Sequence, residues 1–198
     1  MNVSDFDFDL PPELIAHYPM PERTQSRLLC VGGGANVASI AHRHFGDIVD
    51  QLNANDLLVF NDTKVVPARL FAKKQTGGKL EILFERMLDK KTFLAHVRSS
   101  KSPKVGSIIN IAAEQDQPSV ELIMKGRQGA LFILEINSEL EVFDLLQAYG
   151  HIPLPPYIER RDEVTDHDRY QTVYADKPGA AAAPTAGLHF DDALINAL

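Results

Sequence analysis

Five short apolar runs between residues 79 and 136 constrain the fold of this chain more than any other feature. They read KLEILFER, TFLAHVRS, SIINIAA, SVELIMK and ALFILEI, and pieces rich in glycine and charge separate them. Strand-sized segments at this spacing are typical of a small antiparallel barrel or sandwich. A capping box, with Ser138 three residues before Glu141, then predicts a helix over 138–149 that stops at Gly150.

The sequence on either side of these runs has the pattern of an α/β domain. DLLVF, residues 56–60, is an apolar run bounded by polar residues, which predicts a strand buried on both faces of a sheet. SRLLCV and NVASIAHRHF flank the glycine-rich GGGA and predict a hairpin, while PPELIAHY and FGDIVDQL predict short helices. We therefore expect an α/β domain made of residues 1–63 and 151–198, interrupted by a small antiparallel β-barrel domain at 64–150.

Charge is unevenly distributed along the chain. The formal net charge is −7, yet Lys64 to Lys104 holds eleven Lys or Arg residues against three Asp or Glu. A basic block within an acidic chain suits capture of phosphate groups, and a solvated basic face without a partner is the alternative. Cys30, the single cysteine, has no partner for an internal disulfide, and the sequence contains no apolar run of membrane-spanning length. We expect a cytoplasmic protein with no membrane partner.

Polar residues in three stretches are candidates for binding or catalysis. NDT, residues 61–63, follows the predicted buried strand, where α/β sheets present ligand-binding groups, although these residues also suit a turn. Arg98 and Lys101, in HVRSSKSPK, suit phosphate recognition or a polar barrel loop. In AAAAPTAGLHF, small residues allow close approach of a backbone or a flat ligand, and His189 suits an acid or base because the pKa of a free histidine lies near neutrality. A purely structural loop is the alternative there.

Other site types find less support in the sequence. GGGA could belong to a nucleotide-binding loop, but the alternating β-branched residues of NVASI favour a hairpin turn. The seven histidines lack zinc-type spacing, and the H-E-x-x-H, G-x-S-x-G and Walker motifs are absent. We predict no metal site.

Seven stretches, taken in order and spacing, resemble one family of enzymes. They read SDFDFDLPPELIAHYP, SRLL, DLLVFNDTKVVPARL, TGGKLEILFER, HIPLPPYIERRD, RYQTVYA and PGAAAAPTAGLHF. Together they resemble the S-adenosylmethionine:tRNA ribosyltransferase-isomerases of the queuosine pathway over essentially the whole chain. That family has an α/β domain interrupted by a β-barrel, and its chains continue well past AGLHF. The resemblance therefore implies an N-terminal fragment that lacks the C-terminal part of the α/β domain and is nearly inactive alone.

The resemblance also implies a reaction and its participants. The ribosyl moiety of S-adenosylmethionine would be transferred to 7-aminomethyl-7-deazaguanine (preQ1) at the wobble position of tRNA with a GUN anticodon, and isomerised. Epoxyqueuosine, adenine and methionine would be the products, S-adenosylmethionine would be the ribosyl donor, and the complete enzyme would be a monomer.

The resemblance further implies roles for twelve residues. His189 would be the catalytic acid or base; Asn61, Asp62, Thr185, Ala186 and Gly187 would bind the cofactor; and Arg69, Arg98, Lys101, Tyr170, Gln171 and Tyr174 would contact substrate or tRNA. A tRNA-binding module without catalysis, a Rossmann methyltransferase and a scaffold fragment are the alternatives.

Overall fold

Short strands dominate the secondary structure of the chain. The structure is a computed structural model, and it describes residues 1–34, 37–112 and 118–198. The strands are β1 (Arg27–Gly34), β2 (Val37–His44), β3 (Thr63–Val65), β4 (Arg69–Lys74), β5 (Lys79–Met87), β6 (Thr92–Arg98), β7 (Ile108–Ile111), β8 (Glu121–Gln128), β9 (Leu131–Ile136) and β10 (Lys177–Ala180). The α-helices are α1 (Val142–Tyr149), α2 (Asp166–Arg169) and α3 (Asp192–Ala197), and 3₁₀-helices span Val3–Phe6, Pro12–Leu14, Arg23–Gln25, Phe45–Gln51 and Thr185–His189.

Strands β4 to β9 form a closed barrel in the order β4-β5-β6-β9-β8-β7. All neighbouring strands are antiparallel, so the predicted small antiparallel barrel is confirmed. The barrel contains a sixth strand, β4, in addition to the five predicted runs. Alternate side chains of this strand, Leu70 and Ala72, are buried in the barrel, whereas Phe71 is 39% exposed. Closure leaves no strand edge of the barrel unpaired.

The barrel interior is apolar, and helix α1 packs against it. Its fully enclosed side chains include Leu70, Ile82, Phe84, Phe93, Ile109, Leu122 and Leu134, together with Val142, Leu145 and Leu146 of α1. Gly150 ends this helix as predicted, and its amide donates to the Leu146 carbonyl at 2.8 Å. A Cβ at Gly150 would lie 2.0 Å from the Pro67 carbonyl oxygen, so this close approach requires glycine.

Helix α1 begins later than its sequence predicts. Residues 138–141 lie outside the helix, Glu141 is the N-cap, and the Ser138–Glu141 capping box does not form. Instead, Lys91 Nζ donates to the Ser138 carbonyl, and Lys90 forms an ion pair with Glu141 at 2.7 Å. The Val142 amide also donates to the Lys90 carbonyl at 2.9 Å. These contacts with the β5–β6 turn hold the segment outside the helix.

The residues before and after the barrel meet in a two-stranded parallel sheet. Strand β10 pairs with β3, with Lys177 opposite Thr63. Strands β1 and β2 form the predicted antiparallel hairpin, with Arg27 opposite His44. Its turn at residues 35–36 lies outside the described residues, as does the end of the SIINIAA run at residue 113. The fold is therefore a mixture of α and β segments around a small barrel.

The prediction of a buried strand at DLLVF is wrong. Residues 57–62 have no regular secondary structure, and Leu57 and Val59 are each 86% exposed. A buried parallel strand needs hydrogen-bonding neighbours and a layer on each face. The pairing between β3 and β10 begins only at Thr63, so the run has no strand beside it within the described residues.

Two small apolar clusters position the segments outside the barrel. One contains Val65, Ile152, Leu154, Tyr170 and Ala183. The other contains Phe45, Phe190 and Leu194 and joins the predicted helix at FGDIVDQL, observed as the 3₁₀-helix Phe45–Gln51, to α3. The AAAAPTAGLHF segment runs from the first cluster to the second.

Candidate active site

The tight turn before α3 positions His189. The Pro184 carbonyl accepts from the Gly187 amide at 2.8 Å, and the Gly187 carbonyl accepts from the Phe190 amide at 3.2 Å. These bonds close the 3₁₀-helix Thr185–His189. Phe190 is buried immediately after it. The buried Phe190 after His189 and the hydrogen-bonded turn before it together fix the position of the imidazole.

Gly187 allows this turn to lie against a tyrosine. A Cβ at this position would lie 2.1 Å from Tyr174 Oη and 2.9 Å from Thr172 Cγ2. Thr172 is buried, and burial raises the pKa of the Tyr174 hydroxyl. The close neighbours of Gly187 are therefore side chains of the same chain, and approach of a ligand to AAAAPTAGLHF stays a prediction.

His189 is half-buried and makes one hydrogen bond within the described residues. Its Nδ1 lies 2.6 Å from Ser26 Oγ, and its ring lies on Phe45 with centroids 5.1 Å apart. Burial, and secondarily the charge of Arg23, lower the pKa of His189 below its ordinary value of 6.5. The lowered pKa favours the neutral imidazole, the form that accepts a proton.

A pocket of about 280 Å³ opens beside His189. Thr185, at the start of the same turn, also lines it. The remaining wall is largely apolar and aromatic and includes Tyr18, Leu154, Pro155, Tyr157, Ile158 and Tyr170. Such walls suit a flat ring, and the few polar groups suit its orientation.

A buried ion pair supports one wall of this pocket. Arg160 donates through both Nη atoms to Asp166, at 2.6 Å to Oδ2 and 2.8 Å to Oδ1. Asp166 is only 3% exposed and also accepts from the Glu163 amide at 2.7 Å. The hydrogen bonds from Arg160 hold the pKa of the Asp166 carboxyl below its usual range. The Arg160 guanidinium also lies 4.3 Å from the centre of the Tyr18 ring.

Three arginines tie the N-terminal segment to residues 160–189. Each donates from its side chain to main-chain carbonyls. Arg160 donates to His17 at 3.0 Å, and Arg169 donates to Met20 at 2.8 Å and to Pro21 at 2.7 Å. Arg23 donates to Leu188 at 2.9 Å and to Asp168 at 2.8 Å. The pocket therefore has walls from two segments that are far apart in the sequence.

The predicted cofactor-binding residues divide between two sites. Asn61, Ala186 and Gly187 line a second pocket of about 250 Å³ with Tyr174, while Thr185 lies at the His189 pocket. Asn61 Oδ1 accepts from the Thr63 amide at 3.0 Å, an Asx-type turn.

Asp62 is engaged by a surface cation. It forms an ion pair with Lys177 at 2.6 Å, and this hydrogen bond lowers the pKa of the carboxyl. Asn61 and Asp62 thus both make local contacts, and cofactor binding by either stays a prediction.

Arg69 and Gln171 are occupied by other protein groups. Gln171 pairs with both main-chain groups of Val65, each at 3.2 Å. Arg69 forms an ion pair with Glu81 at 3.1 Å and donates to the Leu154 carbonyl at 3.3 Å. The structure does not bring either side chain to the wall of the His189 pocket, whereas it does bring Tyr170 there.

Arg98 and Lys101 lie on the barrel, on and after strand β6. Both are exposed, and neither forms an ion pair within the described residues. Lys74 Nζ donates to the Lys101 carbonyl, which joins the β4–β5 turn to the β6–β7 loop. Neither residue lines the His189 pocket.

Ser26, Arg23 and the Arg160–Asp166 pair were not predicted from the sequence. Ser26 lies in SRLL and Arg160 lies in HIPLPPYIERRD, so the family resemblance included their segments without indicating these residues. The partners did not follow from spacing, because Ser26 and His189 are 163 residues apart.

Metal clusters and membrane spans are both missing from the part of the chain that the structure describes. It contains no group of three or more His, Cys, Asp or Glu residues placed to hold a metal ion. The same residues form no helix long and apolar enough to span a bilayer.

Comparisons with known proteins point to one family. The sequence matches the family model of the queuosine biosynthesis proteins over residues 3–198. It is also similar to the crystal structure of S-adenosylmethionine tRNA ribosyltransferase from Thermotoga maritima, at 29% identity and a TM-score of 0.38. The match covers 98% of this chain and 53% of the other, so the chain spans about half the length of that relative. On the family match, which covers nearly every residue, this chain belongs to the queuosine biosynthesis proteins.

Proposed function

We propose that this protein acts in tRNA modification by transferring and isomerising the ribosyl moiety of S-adenosylmethionine. The acceptor is preQ1 at the wobble position of tRNA with a GUN anticodon, and the products are epoxyqueuosine, adenine and methionine. Family membership supports the proposal, as does the resemblance of seven stretches of the sequence to the ribosyltransferase-isomerases. The observation that carries it is a half-buried His189, whose pKa is lowered by burial, beside an aromatic pocket.

The proposed chemistry needs a base more than a metal. The sulfonium of S-adenosylmethionine acidifies its C5′ protons, and removal of one opens the ribose and expels adenine. The preQ1 amine then attacks C1′, and closure of the epoxide expels methionine. We assign proton transfer to His189, for which general acid–base catalysis contributes about 10²–10⁴ in rate. Thr185 and Tyr170 then shape the surroundings of the bound substrate.

We assign tRNA contact to one end of the barrel, where basic residues from three connections meet. The set consists of Lys73, Lys79, Arg98, Lys101 and Arg127, and we call it the basic rim. Lys73 and Lys79 lie opposite each other on β4 and β5, and Arg127 donates to Ser102 at 3.2 Å. All five residues are exposed, and none has a carboxylate within 4.0 Å among the described residues. Exposed cations without carboxylate partners are free to neutralise phosphates.

The test of the catalytic assignment is adenine release from S-adenosylmethionine in the presence of preQ1-containing tRNA. His189→Gln should lower turnover by about 10²–10⁴ and leave cofactor affinity within a few fold, because acid–base work is expressed mainly in the transition state. His42→Gln is the matched control, since His42 is exposed on the hairpin. Undiminished turnover in His189→Gln would refute the assignment.

A tRNA-binding role without catalysis is the second candidate, and the basic rim favours it. It predicts tRNA affinity in a chain that does not bind S-adenosylmethionine. Calorimetric titration with S-adenosylmethionine separates the two candidates. The catalytic proposal requires heat of binding in the wild-type chain, and this heat should disappear in Thr185→Trp, whose larger side chain fills the His189 pocket. The binding role without catalysis requires no such heat.

A further inference from the structure

The hydroxyl of Ser26 has two partners that together define the direction of its hydrogen bonds. Its Oγ donates to the Arg23 carbonyl at 2.8 Å and lies 2.6 Å from His189 Nδ1. A carbonyl oxygen only accepts, and a hydroxyl carries a single hydrogen. A Ser26 hydroxyl that donates to the Arg23 carbonyl has only lone pairs left for His189, and in that arrangement Nδ1 supplies the hydrogen.

We propose that Ser26 is a positioning residue that holds His189 in the Nδ1–H tautomer and leaves Nε2 as its proton-accepting nitrogen. A neutral imidazole has one N–H and one basic nitrogen, so fixing the hydrogen on Nδ1 fixes the lone pair on Nε2. Nε2 has no hydrogen-bond partner among the described residues. It is also not one of the buried side-chain nitrogen or oxygen atoms that lack a partner there. Part of the Nε2 surface is therefore accessible to solvent.

The surroundings of Ser26 keep the hydroxyl in this arrangement. Its carbonyl accepts from the Phe45 amide at 2.8 Å, which fixes the main chain where the hairpin begins. The Arg23 side chain donates to the Leu188 carbonyl at 2.9 Å, next to His189. The turn that supplies the accepting carbonyl is thus bound to the turn that carries the histidine.

The nearby cation also favours the neutral ring. Arg23 is the charged group that lowers the pKa of His189. Burial and the charge of Arg169 lower the pKa of Arg23 itself, whereas Asp168, Asp191 and Asp192 raise it. None of these groups has a hydrogen bond to the imidazole. A carboxylate on Nδ1 would favour imidazolium, whereas a hydroxyl orients the ring without adding charge.

This inference rests on the proposed acid–base role of His189, but its test does not require activity. The 198-residue chain is labelled with ¹⁵N-histidine, and long-range ¹⁵N–¹H correlation identifies which nitrogen carries the hydrogen above the titration range of His189. The spectrum of His189→Gln assigns the signals. We expect the wild-type chain to be in the Nδ1–H form.

Replacement of the hydroxyl should redistribute the hydrogen between the two nitrogens. Ser26→Ala should shift the ratio of tautomers toward Nε2–H by about five- to tenfold, the equivalent of one net hydrogen bond. Ser26→Thr keeps the hydroxyl and should keep the wild-type ratio. Ser39→Ala removes an exposed hydroxyl of the hairpin and should change nothing. If Ser26→Ala does not fold, the wild-type and Ser26→Thr spectra still decide.

Two results would overturn the inference: an Nε2–H tautomer in the wild-type chain, or a ratio within twofold of wild type in folded Ser26→Ala. Either can occur in an enzyme that depends on His189, so it would leave the proposed function standing. Conversely, an Nδ1–H tautomer together with full activity of His189→Gln would overturn the proposed function and leave the tautomer assigned.

Discussion

Removing Arg160 should destabilise the fold more than neutralising its partner, Asp166. Arg160→Met leaves the Asp166 carboxylate buried at 3% exposure, and the Glu163 amide at 2.7 Å is then its one remaining donor among the described residues. Breaking a buried pair in this way costs about 3–5 kcal/mol. Asp166→Asn keeps an acceptor for Arg160, and Arg160 keeps its bonds to the His17 and Arg161 carbonyls at 3.0 Å each. We therefore expect the smaller loss of stability in Asp166→Asn.

The magnitude is large compared with the free energy of unfolding of a typical domain, about 5–15 kcal/mol. Urea unfolding at pH 7, followed by far-UV circular dichroism, measures both variants and the double variant Arg160→Met with Asp166→Leu. The double variant should recover most of the loss, because apolar replacement of a whole buried pair is often neutral. Lys177→Met, which removes an exposed ion pair, is the control and should have little effect.

The pH dependence of the free energy of unfolding tests the same ion pair independently. Arg160 holds the folded-state pKa of Asp166 below the ordinary value of 3.8, so the folded chain binds fewer protons than the unfolded chain in that range. The stability from the pair is complete above the unfolded pKa and is lost as the pH falls through the folded pKa. The difference between wild type and Arg160→Met should therefore shrink below about pH 4. A constant difference from pH 7 to pH 3, or equal stabilities at pH 7, would refute the reasoning.

Three further predictions concern other positions. Gly187→Ala should destabilise the chain by about 1–3 kcal/mol in urea, because its Cβ would lie 2.1 Å from Tyr174 Oη, and Tyr174→Phe should recover part of the loss. The imidazole of His189 should titrate below the ordinary histidine pKa of 6.5 in ¹H–¹³C spectra, since burial lowers the pKa of His189; a midpoint at or above 6.5 would contradict this. Arg98→Ala with Lys101→Ala should reduce the log–log salt slope of tRNA binding by about 1 per lost phosphate contact. Lys90→Ala with Lys91→Ala, at the other end of β6, should change it less, and equal effects would count against the basic rim.

The sequence predicted features that depend on local pattern. The barrel runs and the hairpin were recognisable because inward and outward side chains alternate and turn residues separate the strands. Strand β4 was missed because its buried positions, Leu70 and Ala72, are few and its outward Phe71 is apolar. The pattern RLFAKK is therefore weaker than that of the other strands.

Features that depend on distant contacts could not be read from the sequence. The Ser138–Glu141 capping box is locally favourable, but the bonds of these residues to Lys90 and Lys91 hold them outside the helix. DLLVF has the composition of a buried strand, yet the described residues place no strand beside it. In the candidate site, the small neighbours of His189 made it a candidate, which stays a prediction, whereas the contact of Ser26 with His189 required the fold.

The contacts of the N-terminal segment explain why residues so far apart form one site. Ser26, from the turn before β1, lies 2.6 Å from His189 Nδ1, and burial, with Arg23 as the second cause, lowers the pKa of the ring. That turn is held by Arg23 bonds to the carbonyls of Leu188 and Asp168. Each of these bonds uses a main-chain acceptor, which substitution of the accepting residue cannot remove. The geometry at His189 is therefore most sensitive to changes in the arginines and in Ser26, and least sensitive to changes in the residues whose carbonyls they bind.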